Sequence, residues 1–281
     1  MNMNWKKKDY ETTLLREKNG VVWIEFEAFQ GLPVKHACST RLGGVSTGVC
    51  SSMNLRSCEW DTRANYEENM RRFCDALGVP FNRIVASHQT HTTNVHVVTE
   101  ADVPTGTLFG REFTDVDGLV TNLKNVPLVT SFADCIPLYL VDPVQGAIGM
   151  SHAGWRGTVG GIGRVTIETM KKTYGTRPSD LYACVGPGIC QDCYEVSTDV
   201  YEAFEKQFSP EQLAQIFMKK ADGKYQLDLW LTNKLVLMSA GVPEEHIALT
   251  DICTKCNSDY LFSHRVMGNR RGNQCGFLML E

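Results

Sequence analysis

Three short segments concentrate the residue types that can do chemistry: His88-Gln89-Thr90-His91, Ala133-Asp134-Cys135-Ile136-Pro137 and Ser151-His152-Ala153-Gly154-Trp155-Arg156-Gly157. The second and third flank a turn signal, Asp142-Pro143-Val144-Gln145-Gly146, set between two apolar runs. A hairpin centred on Pro143-Val144 places Cys135 opposite His152 at its open end. Directly opposed side chains of an antiparallel pair have Cβ atoms roughly 4.5–5.5 Å apart, which suits two ligands of one metal ion. Thiolate and imidazole are zinc ligands, and three protein donors leave one tetrahedral position open for a reacting water or substrate oxygen. Of the 7 histidines, His91 has the best context for the third donor, in a Gln/Thr-rich turn at the end of an expected strand. Each residue also has an ordinary reading. His152 can be a strand-end histidine, Cys135 a small buried hydrophobe and His91 a loop hydrogen-bonder.

The stretch after His152 carries a second signal. Small residues stand where a strand turns into a helix, and backbone N–H groups at a helix start favour an anion. Arg156 adds a planar fork suited to phosphate or carboxylate. Gly43-Gly44, after Arg41, forms either another anion loop or an ordinary turn. Two Cys-x-x-Cys pairs, Cys190/Cys193 and Cys253/Cys256, can build a four-thiolate metal site. The gap between them is far longer than in a zinc ribbon, so buried thiols are the favoured reading.

The elements that must position these residues follow from periodicity. Alternation over 21–26 and the apolar run 34–39 read as strands. A helix is expected from Asn65 to Leu77, with Tyr66, Met70, Phe73 and Leu77 on one stripe and Gly78 and Pro80 as its stop. Strands are expected at 84–87, 94–98, 119–121, 128–132, 136–141, 147–151, 181–185, 246–250 and 276–280. Helices are expected from Trp155 to Tyr174, within 198–208 and from 229 to 240. The segment Gly78-Val79-Pro80 is echoed by Gly241-Val242-Pro243, each between a helix and a strand, which reads as common helix-stop chemistry. Adjacent central strands with helices to either side indicate an α+β fold. No linker rich in Pro, Gly or Ser divides the 281 residues, so a single domain is expected. Neither a dinucleotide Gly-x-Gly-x-x-Gly after a strand nor a Walker Gly-Lys-Ser/Thr is present.

Composition bounds the function. Hydrophobic residues make up 43% and charged residues 21% of the chain, and the net charge is -4. That balance argues against nucleic acid as a main partner, because neutralising phosphates requires a basic surface. The basic run Lys6-Lys7-Lys8 reads as a solvated tail. No apolar stretch is long enough to span a bilayer, and the N-terminus lacks the apolar centre of a signal peptide, so a cytoplasmic location is expected. The 11 cysteines are then reduced thiols and metal ligands rather than a disulfide framework.

Taken together, the motifs resemble the YfiH/YlmD family, formerly described as polyphenol oxidases or laccases, now linked to purine nucleoside phosphorolysis, and in bacteria also called peptidoglycan editing factors. The resemblance runs through Ser39-Thr40-Arg41-Leu42-Gly43-Gly44, Ser52-Met53-Asn54-Leu55, Gln89-Thr90-His91, Asp117-Gly118-Leu119-Val120-Thr121 and Ala133-Asp134-Cys135. It continues through His152-Ala153-Gly154-Trp155-Arg156-Gly157, Gly186-Pro187-Gly188-Ile189, Cys193-Tyr194-Glu195-Val196, Cys253-Thr254-Lys255-Cys256 and Phe262-Ser263-His264-Arg265. It implies zinc held by His91, Cys135 and His152, with copper as a possible substitute. It implies a layered α/β/β/α fold of mixed, largely antiparallel sheets. Arg41, Asn54, Arg156 and Arg265 stand at motif positions and are expected to line the substrate pocket.

The chain departs from the family pattern at Thr92, where Gly is usual, and at Val266, where a second Arg is usual. Arg271-Gly272-Asn273-Gln274 replaces a more common Thr-Gly-Arg. These changes spare the metal triad and bear on substrate preference and anion contacts. The resemblance implies a purine nucleoside phosphorylase acting on inosine, adenosine or methylthioadenosine with phosphate, and deaminating adenosine as a side activity. Three other functions compete with it. A hydrolase of cell-wall precursors would use Cys135 as nucleophile and His152 as base. A copper oxidase would need histidine clusters that 7 scattered residues do not supply. A metal-stabilised binding module would turn nothing over.

Overall fold

The strands at the centre of the chain are buried along their whole length, so their two faces must both be covered. In the computed structural model, which describes residues 12–104 and 112–281, this is achieved by stacking two sheets and covering each outer face with helices. The Lys6-Lys7-Lys8 run and the extreme N-terminus lie outside the described residues.

The first sheet has seven strands in the order Thr13–Lys18, Val21–Phe26, Val34–Ser39, Gln274–Leu280, Leu128–Phe132, Val85–His88 and Glu112–Thr114. The second has six, in the order Ile247–Leu249, Tyr182–Val185, Ile136–Asp142, Ala147–Ala153, Gly118–Thr121 and Val95–Val97. A small third sheet joins Glu195–Val196, Tyr225–Leu227 and Phe217–Lys219. Most pairings are antiparallel; the parallel ones join Val85–His88 to both its neighbours, Val95–Val97 to Gly118–Thr121, and Tyr182–Val185 to Ile247–Leu249.

The period of two along each strand sorts its apolar residues between layers. In the last strand, Leu278 and Leu280 point into the space between the sheets, where they meet Phe26, Leu128, Tyr139, Val141, Ile148 and Met150. Phe277 and Met279 point outward onto the helix Arg63–Leu77 through Met70, Phe73 and Cys74. In the second sheet, Ile136, Leu138 and Leu140 face outward to Ile162, Ile167 and Met170 of the helix Ile162–Tyr174 and to Leu229, Trp230 and Leu237 of the helix Leu229–Ser239. The order of layers is therefore helix, sheet, sheet, helix, the α+β arrangement expected. The sheets approach so closely at Gly276 that a Cβ there would lie 2.2 Å from Met150 Cε and 2.5 Å from the Tyr139 hydroxyl. That hydroxyl crosses between sheets and donates to the Ala37 carbonyl at 3.0 Å.

The structure corrects two expectations and adds elements. The helix expected over 155–174 is two helices, Trp155–Val159 and Ile162–Tyr174, because Gly160-Gly161 intervenes and Gly161 takes φ 77°. The central hairpin pairs Ala147 with Asp142 and His152 with Pro137, so its turn has four residues and its register is two residues away from the one expected. Gly146, at φ 60°, supplies the left-handed residue that the longer turn needs. The strand Thr13–Lys18, the helix Pro210–Ile216 and the third sheet carry too few apolar residues in regular spacing to announce themselves. Gly78 caps its helix at φ 73° and Gly241 follows the end of its own at φ 95°, and each is followed by a 3-10 turn and a short strand, as their shared sequence indicates.

Candidate metal centre and active site

A two-residue slip in an antiparallel pair keeps every side chain on its original face. Cys135, one residue before the strand Ile136–Asp142, therefore still shares a face with His152 but sits diagonally from it rather than opposite. His91 comes from the other sheet's side of the molecule, three residues beyond the strand Val85–His88. Its backbone is left-handed, at φ 66°, a conformation histidine tolerates better than bulkier or branched residues. The ligand-capable atoms of His91, Cys135 and His152 all lie within 4.8 Å of one another. His91 Nε2 is 3.9 Å from Cys135 Sγ, and the two imidazoles meet edge to face with centroids 4.9 Å apart.

One buried carboxylate organises this convergence. Asp117 Oδ1 accepts from the His91 amide at 3.1 Å and pairs with His152 Nδ1 at 2.8 Å. Its Oδ2 accepts from the amides of Thr90 and Thr92 at 3.1 and 2.9 Å and from the Thr92 hydroxyl at 3.0 Å. Burial alone would raise the Asp117 pKa, but the bond to His152 and the loop amides outweigh it and bring it down to about 2. Gln89 ties the same loop to the first sheet through its side-chain bond to the Ser131 carbonyl at 2.7 Å. Thr92 thus contributes a hydroxyl to the carboxylate as well as its amide.

Burial pushes the Cys135 thiol up, yet His152 and His91 together bring it down to about 6. Burial pushes His152 down, yet the Cys135 sulfur and Asp117 bring it up to about 9. Thiolate and imidazole thus stabilise each other's charged forms. The approach depends on Gly154, where a Cβ would lie 2.8 Å from His91 Cδ2 and 3.0 Å from Cys135 Sγ.

The donor set fits a zinc-class ion. Tetrahedral zinc holds a thiolate and an imidazole about 3.5 Å apart, given bond lengths of about 2.3 and 2.0 Å. A ligating histidine characteristically gives its second nitrogen to a carboxylate, as His152 does to Asp117. All 7 histidines are among the described residues, and the others do not join a cluster. His36 Nε2 accepts the Phe26 amide, His96 pairs with Asp102 and His246 Nδ1 meets the Leu181 carbonyl.

His91 and Cys135 open onto a cavity of about 320 Å³ lined also by Asp134, Ile189, Tyr194, His264, Arg265 and Arg271, with His152 buried behind them. That volume lies at the small-molecule end of ligand sites. Of the four expected pocket residues, only Arg265 lines it. Its amide donates to Asp134 Oδ2 at 2.6 Å and its guanidinium lies over the Tyr194 ring. Arg156 is exposed and stacks on Trp155, its guanidinium carbon 4.2 Å from the ring centroid. Arg41 spends its guanidinium on the Ser51 and Ser258 carbonyls and lies over Phe262. Asn54 is fully buried; its side chain accepts from the Asn273 amide at 3.0 Å and donates to Asp61. Both residues therefore support the segment 262–273 rather than face the cavity.

Sequence reasoning passed over Asp117, Asp134 and Arg271 as site residues. Asp134, at φ 86°, receives the Thr254 hydroxyl and the Arg265 amide on its two oxygens and so holds the turn before Cys135. Arg271 is half-buried in the cavity wall, and its Nε has no hydrogen-bond partner among the described residues. The available signals were the Asp-Gly pair entering a buried strand and an arginine in a segment that departs from the family pattern.

The family model described as multi-copper polyphenol oxidoreductase laccase matches residues 35–281. The chain is 36% identical over 252 residues to "Purine nucleoside phosphorylase YlmD" of Geobacillus stearothermophilus, covering 89% of each chain. It is 38% identical over 244 residues to "Adenosine deaminase RL5" from an unknown prokaryotic organism, covering 84% of this chain and 90% of that one. The crystal structure of YlmD from Geobacillus stearothermophilus matches with a TM-score of 0.87 at 33% identity, covering 95% of this chain and 98% of that one.

Proposed function

The chain belongs to the YfiH/YlmD family of enzymes, and from that premise we propose that it is a zinc-dependent purine nucleoside phosphorylase with adenosine deaminase side activity. The observation that carries this reading is the convergence of His91, Cys135 and the buried His152 beside a cavity that His91 and Cys135 line together with Arg265 and Arg271.

His91, Cys135 and His152 would hold the ion. When bound, zinc would supply Lewis-acid chemistry to a water or substrate oxygen in the cavity. In phosphorolysis a phosphate oxygen bonds to ribose C1′ while the bond from C1′ to the purine nitrogen breaks, and the electron pair leaves on the purine. The guanidinium of Arg271, with its unpartnered Nε, and that of Arg265 favour the phosphate dianion in the cavity. His264 places an imidazole on the same wall, a group able to hold a proton near the departing purine. With Nδ1–H donating to Asp117, the neutral His152 ring would turn the lone pair of Nε2 toward the ion. In deamination, water adds to the purine C6 and ammonia leaves, which needs no phosphate.

The test is release of hypoxanthine from inosine, followed with and without phosphate. Phosphate-dependent release with ribose 1-phosphate as co-product is expected. Release at the same rate without phosphate overturns phosphorolysis.

A second reading rests on the serial contact of Cys135, His152 and Asp117, which also suits a thiol nucleophile, its base and an orienting carboxylate. A hydrolase of peptidoglycan precursors would use it so. Such a triad works without metal, so full activity after chelation favours this reading and loss of activity counts against it.

A further inference from the structure

The two Cys-x-x-Cys pairs, 63 residues apart in sequence, meet in space. The sulfurs of Cys190, Cys193, Cys253 and Cys256 all lie within 4.8 Å of one another, and Cys193 Sγ is 3.5 Å from Cys256 Sγ. A tetrahedron of sulfurs around a zinc-sized ion, with bonds of about 2.3 Å, has edges of about 3.8 Å. The four thiols therefore already stand near the vertices of one coordination polyhedron.

The backbone around them is shaped for thiolates. Cys253 Sγ accepts the amides of Cys190 at 3.3 Å and of Cys256 at 3.5 Å. Two N–H donors aimed at one sulfur favour its negative form, the form that binds metal. Each pair sits in its own turn, closed by the Cys193 amide on the Cys190 carbonyl and the Asn257 amide on the Cys253 carbonyl. The turns are laid side by side by the Thr254 amide on the Gly188 carbonyl at 3.1 Å. Cys190 and Cys253 are buried and Cys193 and Cys256 half-buried, so one side remains open for an ion to enter. A dithiol redox pair would use only two of these sulfurs and give the other two no role.

We propose that Cys190, Cys193, Cys253 and Cys256 bind a second metal ion, a single thiophilic divalent cation of the zinc class, in a closed structural site. On binding, the four thiols give up their protons to solvent and form four metal–sulfur bonds, with no change of oxidation state. Four protein ligands leave no open position, so this ion takes no part in turnover. It fastens the segment 186–194 to the segment 251–257, and both hold the turn before Cys135. The Ile189 amide donates to the Asp134 carbonyl at 2.9 Å, and the Thr254 hydroxyl donates to Asp134 Oδ1 at 2.6 Å. Ile189 and Tyr194, on the first segment, line the cavity.

The inference is independent of the catalytic reading, and so is its test. Full-length protein is produced with zinc in the medium, purified under reducing conditions and analysed for metal as wild type, Cys135→Ala and Cys193→Ser/Cys256→Ser. Cys135→Ala is expected to retain about one zinc per chain, and the double variant to lose about one relative to wild type. Cobalt loaded into Cys135→Ala is expected to show intense thiolate-to-metal charge-transfer absorption, which histidine and water ligands cannot produce. Because that measurement leaves all four cysteines in place, it stands even if the double variant fails to fold. Absence of both zinc and the cobalt bands from folded Cys135→Ala overturns the proposal, as does a Cys193–Cys256 disulfide in the reduced preparation. A wild type with one ion that survives Cys135→Ala supports the second site and sinks the catalytic triad as a metal centre.

Discussion

His152 Nδ1 lies 2.8 Å from Asp117 Oδ1, and the same oxygen accepts the backbone amide of His91. One carboxylate thus orients one histidine by its ring and the other by its main chain. Asp117→Asn should weaken zinc binding by about 10- to 100-fold and lower turnover with it. Competition with a chromogenic chelator measures the first and inosine phosphorolysis the second. Unchanged zinc affinity would show that the carboxylate is dispensable.

Gly154→Ala places a methyl group against His91 and Cys135 at 2.8 and 3.0 Å, closer than carbon or sulfur tolerates. The neighbours are the two side chains proposed as ligands, and they must move apart. Displacement by a fraction of an ångström to 1 Å should cost activity on the order of 100-fold while the fold persists. Circular dichroism and kcat/KM together test this; wild-type activity in a folded variant would contradict the geometry.

Arg271 and Arg156 make contrasting predictions for phosphate. Arg271→Gln removes a half-buried charge whose Nε is unpartnered, and loss of one charge-assisted hydrogen bond of about 1.5–3 kcal/mol should raise KM for phosphate about 10- to 100-fold. Arg156→Gln removes an exposed guanidinium stacked on Trp155 and should change that KM much less. The reverse ranking would return the phosphate site to the start of the helix Trp155–Val159, as its sequence invites.

His36 makes folding acid-sensitive. It is 4% exposed, packs against Phe26 and Phe29, and accepts the Phe26 amide on Nε2. Burial, opposed by Glu25, takes its pKa from 6.5 down to about 4. Between those values the unfolded chain binds the proton and the folded chain does not, so stability rises with pH there. The contribution is complete above about pH 6.5 and lost as pH falls towards 4, about 3 kcal/mol in all. Urea melts of wild type and His36→Gln at pH 7 and pH 4.5 should show the wild type losing more stability on acidification. Equal losses would remove His36 as the cause.

Several elements were readable because a local cause acts alone. The helix Arg63–Leu77 follows from one apolar stripe and Gly78. The strand Leu128–Phe132 is bounded as its apolar run is. The break at Gly160-Gly161 is invisible to periodicity because helical spacing persists across it, and a left-handed glycine does not disturb that count. The hairpin register is hidden in the sequence because a four-residue turn and a two-residue turn leave the same alternation in the strands.

Sequence by itself determined which residue types were available: a thiol and two imidazoles in motif-rich segments, apolar strands that must be covered on both faces, and two Cys-x-x-Cys pairs. Only the tertiary structure decided which of them meet. Asp117 reaches both histidines, Arg271 rather than Arg41 or Asn54 faces the cavity, and Cys190, Cys193, Cys253 and Cys256 converge. The physical reason is that periodicity and turn chemistry act over a few residues, whereas these contacts join segments of different strands and sheets whose relative placement is set by how the layers pack.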